Sequence, residues 1–583
     1  MREYSVPVLV DVPASAGLAD TVFRRAEQEP GAVVMRRKIG SGWPLVTAAE
    51  FRDQVVEIAK GLIAAGVEQG DRVALMSRTR YEWTLIDYAI WSVGAVTVPV
   101  YETSSVEQVR WILHDSEAKA AFVELDAHEE AVKEAAPELK ALWRVDGALE
   151  TGAVTGSEVD ERRQRVTSSD LATIVYTSGT TGRPKGCRIT HDNLLFTALN
   201  VLRGPLEPLF ARKDPAALLF LPLAHIFARM IQVVLIEAGA VMAHTPNMKN
   251  VAPDLQDFKP TFLLGVPRVF EKVYNSAEQK AISGGKGKIF ASAVDVAVAW
   301  SKAESAGGAP LGLRLRRAVF DRLVYSKLRA ATGGRLSASV CGGSALGDRL
   351  GHFFRGVGIE VFEGYGLTET SAPVSVNMPG ANKIGTVGKP LPGVTLRIGD
   401  DGEILAKGRN VFLGYWKNDA ATDDVIDSEG WFHTGDVGEL DSDGYLRITG
   451  RKKEILVTAA GKNVAPGPLE DALRAHPLIS QAMIVGDGRP FVGALITLDP
   501  EAVPAGSTVA ELRSDPKIRA EIQTAVDRAN LSVSKAEQIK KFTILDTDIT
   551  EESGHLTPTL KVKRNVVMRD FTKEIDELYD SRS

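Results

Sequence analysis

Cysteine is nearly absent: Cys187 and Cys341 are the only two among 583 residues, far apart and in no metal-ligand spacing. A disulfide framework and a structural zinc site are therefore excluded as organising devices, and a reducing compartment is expected. No apolar run reaches the ~20 residues of a membrane span. The longest greasy region, residues 216–244, is interrupted by Pro222, His225, Arg229, Gln232 and Glu237. It reads as a buried helix or strand pair, with a lipid-touching surface as the alternative. The N-terminal apolar run of five residues is too short for a signal-peptide core. Neither charge sign dominates, since 69 Lys and Arg face 75 Asp and Glu for a net −6, so nothing points to nucleic acid. Internal repeats, heptads and low-complexity tracts are missing too. A mean hydropathy of −0.04 and 44% apolar residues describe a globular chain.

At this length three to five structural units are expected. Strand-like runs at 71–77, 95–101, 119–125 and 261–267 alternate with helix-length segments such as 49–66 and 105–117. That alternation predicts an α/β fold on largely parallel sheets. Residues 279–335, rich in Ala, Lys and Arg, read as an inserted helical block. From 385 to 450 the strands shorten, and the DDG and SDG tripeptides (400–402 and 442–444) predict hairpins in a small β-rich unit. A new α+β alternation begins after Gly450.

The strongest chemical signal is residues 174–186, IVYTSGTTGRPKG. A strand runs into a loop of Thr177, Ser178, Gly179, Thr180, Thr181 and Gly182 and ends at Lys185. Such a loop offers backbone N–H groups and hydroxyls to polyphosphate oxygens, and the lysine adds positive charge. It is not the Walker loop, because Pro184 precedes and Gly186 follows the lysine. A hydrolase elbow fails at CGGSALG, where Leu346 replaces the second glycine. GDGRPF (486–491) lacks the third glycine of a dinucleotide fingerprint.

TSGTTGRPKG resembles the phosphate loop of adenylate-forming (AMP-binding) enzymes. Six further strings follow in order: LPLAHIFAR (221–229), CGGSALG (341–347), EGYGLTET (363–370), GWFHTGD (430–436), GRKKEILVTAAGKNVAP (450–466) and LTPTLKVKR (556–564). The resemblance implies a two-step reaction. A carboxylate attacks the α-phosphorus of ATP to give acyl-AMP and pyrophosphate, and a thiol then displaces AMP. It implies that Thr180 and Glu369 help hold Mg²⁺, a hard cation that prefers oxygen ligands. Lys561 is implied as the C-terminal catalytic lysine, with Lys563 and Arg564 as local competitors. Thr368 would reach the α-phosphate, and His225 would position the carboxylate. The nucleotide would lie against Gly343, Ser344, Glu363, Gly364 and Tyr365, with Asp436 and Arg451 at the ribose. Lys453 would be the hinge. The chain departs from the family pattern at TPTLK, where many relatives have Thr-x-Ser-Gly-Lys, and at Val457, where some carry a second lysine.

The region 221–236 has no Asp to pair an amino acid's ammonium and offers only Arg229 as a cation. With VPRVFEKVY (266–274) and the helical block, it is similar to long-chain fatty acyl-CoA synthetases. A long tail gains ~0.8 kcal/mol per buried CH₂, about 10 kcal/mol before ordering costs. The implied substrates are ATP, a long-chain fatty acid and coenzyme A, in a cytoplasmic enzyme able to touch a membrane peripherally. The large N-terminal domain is expected at 1–450, as two α/β subdomains plus a small β-barrel-like one. A mobile α+β C-terminal domain is expected at 451–583. Only 22 residues follow Lys561, so no carrier domain is expected after it. The alternative is a fatty acyl-AMP ligase that loads a separate carrier protein.

Overall fold

The computed structural model describes residues 1–177, 183–500, 502–503, 509–557 and 561–580. Six strands form the first sheet, in the spatial order Ala141–Arg144, Ala118–Val123, Arg72–Met76, Val96–Val100, Leu171–Thr177 and Lys185–Thr190. The first five are parallel and mostly apolar, and the central ones are buried almost throughout. The sixth returns antiparallel, with Thr177 opposite Lys185.

A second sheet of nine strands is parallel at its centre, from Val33–Arg36 through Val241–His244, Ala216–Leu219, Phe262–Gly265 and Ala338–Cys341 to Glu360–Leu367. Residues 216–244 form the strand Ala216–Leu219, the helix Ile226–Ala238 and the strand Val241–His244, and their apolar side chains are core. No helix among the described residues is long and apolar enough to cross a membrane.

The third sheet is antiparallel and barrel-like, and both hairpin tripeptides turn between its strands: DDG between Val394–Ile398 and Glu403–Gly408, SDG between Phe432–Leu440 and Leu446–Arg451. Glu3–Ser5 adds a fifth strand against Val394–Ile398. The helical block begins at Pro267, earlier than composition suggests, because Pro267 at the first helical position starts Pro267–Ser283 ahead of the Ala- and Lys-rich stretch. The C-terminal unit packs three strands and the helices Pro466–Arg474 and Pro516–Asn530 around its own core.

One ion pair ties the two large sheets together. Asp87, on the wholly buried helix Tyr81–Ser92, meets Arg229 of Ile226–Ala238, and both side chains are fully buried. The guanidinium donates to both carboxylate oxygens, at 2.9 Å from Nε to Oδ2, and to Thr173 Oγ1 at 2.5 Å. Thr97 Oγ1 and Gln232 Nε2 donate to the same carboxylate at 2.7 and 3.1 Å. Trp83 and Trp91 hold the guanidinium carbon 5.4 and 5.0 Å from their ring centres. Arg229 is thus a strut of the core and not a charge beside the acid pocket, a correction to its reading from sequence. Removing one partner strands the other charge in the interior, at a cost of about 3–5 kcal/mol. Arg229→Met should lower stability by about that amount. The double variant Asp87→Asn/Arg229→Met should cost clearly less than the sum of the single changes in chemical denaturation; additivity would refute the coupling.

Candidate active site

At the start of the sixth strand, Lys185 lies with Nζ 4.9 Å from the ring centre of Tyr415. The Tyr415 hydroxyl donates to Glu369 Oε1 at 2.8 Å. Glu369 stands in the short turn Thr368–Thr370. The chain reverses there through Ser371 and Ala372, at φ of 54° and 76°. Gly366 permits this approach: a Cβ on it would meet the Ala372 carbonyl oxygen at 1.8 Å. Ser178, Gly179, Thr180, Thr181 and Gly182 lie outside the described residues, while Thr177 closes the strand before them.

Tyr365 and Asp436 meet where the second and third sheets adjoin. The tyrosine hydroxyl donates to Asp436 Oδ2 at 2.6 Å, and Arg451 Nε donates to Oδ1 at 2.8 Å. Asp436 and Arg451 are register partners on the third sheet. Burial, then the Asp436 charge, holds the Tyr365 phenol well above its ordinary value. Each carboxylate oxygen retains a lone pair for a further donor. Gly343, at φ 89°, and Ser344 form the exposed loop after Ala338–Cys341, and Gly364 lies beside Tyr365 on the neighbouring strand. Glu363 sits beneath that loop, accepting from the Leu346 N–H at 2.8 Å.

His225 caps the helix Ile226–Ala238, its Nδ1 accepting from the Phe227 N–H at 3.2 Å. Burial, then the charge of Lys561, pulls its pKa down to about 3. The ring is therefore neutral near pH 7 and carries its proton on Nε2, as a donor. Lys561 arrives from the C-terminal unit, and its ammonium feels Arg451, Asp436, Glu454 and Glu369. Desolvation, then Arg451, lowers its pKa. Of the neighbouring cations, Arg564 pairs with Glu470 at 2.5 Å, and Lys563 precedes the helix Arg564–Asp570. Lys453 is exposed on the turn Lys452–Glu454, directly after Arg451. Among the described residues no three His, Cys, Asp or Glu gather as a metal site.

Two further contacts join the units, and no local pattern marks them. Arg268 Nη1 donates to the Ser480 carbonyl at 3.3 Å, and Arg349 Nη2 donates to that of Ala475 at 3.2 Å. Tyr415 was equally hidden, since it lies 46 residues from Glu369 with no local pattern to mark it.

Carboxyl groups crowd the same seam. Burial, then Asp348 and Asp471, raises Glu363 to about 7, and burial raises Asp471 to about 6. For Glu363 the folded state holds a proton that the unfolded chain releases near pH 4.5. Its carboxyl therefore costs nothing below that value and costs progressively more up to pH 7, reaching about 3 kcal/mol. Glu363→Gln should gain thermal stability over the native chain as pH rises from 5 to 8. A difference in Tm independent of pH would refute it.

Residues 22–416 match the family described as AMP-binding enzyme, and residues 453–583 match the AMP-binding enzyme C-terminal domain. The long-chain-fatty-acid–CoA ligase FadD15 of Mycobacterium bovis is 51% identical, with all of both chains covered. The long-chain-fatty-acid–CoA ligase ACSBG2 of Xenopus laevis is 30% identical over 94% of this chain and 81% of its own. Among solved structures, the anthranilate CoA ligase AuaEII with anthranoyl-AMP aligns at a TM-score of 0.73 and 20% identity, covering 96% of this chain and 98% of that one. MenE of Bacillus subtilis with ATP and magnesium aligns at 0.67 and 21%, covering 94% and 98%. Matched over residues 22–416 and again over 453–583, the chain belongs to the AMP-binding enzyme family.

Proposed function

We infer that this chain is an ATP-dependent long-chain fatty acid–CoA ligase, and that residues 1–450 and 451–583 act as its two working parts. The observation that carries this reading is the 51% identity to a long-chain-fatty-acid–CoA ligase over the whole of both chains, supported by the hydrogen-bonded set Tyr365–Asp436–Arg451 and by Glu369 held by Tyr415. Adenylation brings a carboxylate to a polyphosphate, two anions, so the site must supply positive charge and alignment. Lys185 follows the phosphate-binding segment, and Lys561 reaches the acyl carboxylate and the α-phosphate. A carboxylate oxygen attacks the α-phosphorus while the α–β bond breaks, and pyrophosphate departs. The neutral His225, with Nε2–H free to donate, orients the carboxylate without lending it a proton. Tyr365 lines the base pocket, and Asp436 with Arg451 holds the ribose hydroxyls. Thr368 and the hydroxyl-rich segment 177–182 would bind the phosphates.

Glu369 suits Mg²⁺: Oε1 is oriented by Tyr415, and Oε2 takes no hydrogen bond among the described residues. With Thr180 and the phosphates it would supply hard oxygen ligands, and the ion would neutralise phosphate charge. In the second step the coenzyme A thiolate attacks the acyl carbon and AMP leaves. The unit bearing Lys561 turns about Lys453 between the steps, so Lys561 serves only the first.

The test is AMP release from ATP and palmitate, with and without coenzyme A. Turnover that requires coenzyme A and yields palmitoyl-CoA is expected. Palmitoyl-AMP formed once, unaffected by coenzyme A, would move the acceptor to a carrier protein. Lys561→Ala should slow acyl-AMP formation by about 10²–10³-fold and spare thioester formation from supplied palmitoyl-AMP. Equal loss in both half-reactions would overturn its role.

A further inference from the structure

Away from the active site, the helix Leu311–Phe320 and the π-helical turn Asp321–Tyr325 carry an apolar stripe on the outside of the protein. Leu311, Leu315, Val319 and Leu323 are 75%, 63%, 58% and 52% exposed. They recur every four residues, which an α-helix places on one slowly drifting face. The π turn takes up more residues per turn and so draws Leu323 back toward the stripe.

The opposite face is anchored. Arg317 stacks 4.2 Å from the Trp300 ring centre and donates to the Gly356 carbonyl at 2.9 Å. Tyr325 is buried and donates to the Ala293 carbonyl at 2.6 Å. The stripe is therefore held outward by a docked helix.

Cations flank it. Residues 280–331 contain ten Lys and Arg against three Asp and Glu, in a chain whose net charge is −6. Arg316, Arg322 and Lys327 are exposed with no ion-pair partner among the described residues. Lys286 and Lys288 are likewise unpaired, on a turn that also exposes Ile282 and Ile289. A surface that is apolar at its centre and cationic at its rim matches the acyl boundary and headgroups of an anionic bilayer.

We propose that the face formed by Leu311, Leu315, Val319 and Leu323 with Arg316 and Arg322 docks this protein on anionic membrane surfaces. The purpose of docking rests on the fatty-acid reading, because the substrate partitions into the same bilayer; the docking itself does not. The test is sedimentation with vesicles of phosphatidylcholine mixed with phosphatidylglycerol, against vesicles of phosphatidylcholine alone. The native chain should pellet with the anionic vesicles only, and be released near 1 M salt, where screening acts within ~3 Å. Arg316→Ala/Arg322→Ala should weaken partition about thirtyfold. Leu315→Glu/Val319→Glu should abolish it, with both variants melting like the native chain. A native chain left in the supernatant, or variants that pellet equally, would overturn the proposal. So would a native dimer that Leu315→Glu/Val319→Glu dissociates without any vesicle binding, which would give the face to a second copy. Failure of palmitate activation with vesicle binding intact would instead count against the ligase reading alone.

Discussion

The buried pair of Asp87 and Arg229 is the constraint from which the site's geometry descends. Taking two charges out of water is expensive, and only a complete set of partners recovers the cost. Here Thr97, Thr173 and Gln232 complete the set, and they come from two strands of the first sheet and from the helix that carries Arg229. The pair therefore specifies one placement of the helix Ile226–Ala238 between the sheets; a shift of one turn would leave a charge unpaired. His225 precedes Arg229 by a single turn, and its carbonyl accepts the Arg229 N–H at 3.2 Å. The imidazole at the rim of the site inherits its position from an ion pair that no substrate touches.

Charge balance explains why the site closes as it does. Lys185, Arg451 and Lys561 would repel one another in the absence of substrate, and desolvation already disfavours the Lys561 ammonium. Asp436 offsets Arg451 directly, and Tyr415 fixes Glu369 beneath Lys185. The remaining positive charge is what a bound polyphosphate neutralises. Between the units Arg268 and Arg349 donate to main-chain carbonyls. Polar contacts of this kind are typical of interfaces between domains of one chain.

The sheets were legible because each strand is a short apolar run bounded by turn residues, and DDG and SDG marked two hairpins where the third sheet has them. Contacts between residues distant in sequence were not legible. Glu3–Ser5 pairs with a strand almost 400 positions away, and nothing local announces it. Arg229 looked like a free cation because its partner lies 142 residues earlier. The family strings brought most of the site to attention, but not Tyr415, Arg268 or Arg349, whose roles exist only after folding. Glu363 lies within a matched string, yet its carboxyl braces the backbone of the loop above it.

The helix Leu311–Phe320 is the most instructive departure from pattern. Apolar residues at four-residue spacing ordinarily turn inward, but here the leucines face out. The neighbouring helix Asp348–Val357 ends with carbonyls that need donors, and Arg317 and Arg329 supply them at Gly356 and Val357. Cations at a helix C-terminus also favour its dipole. Leaving such a buried carbonyl unpaired would cost about 1–3 kcal/mol. The rotation that places the arginines inward leaves Leu311, Leu315 and Val319 in water. An apolar face exposed for a reason internal to the fold becomes useful when the cations around it select what covers it.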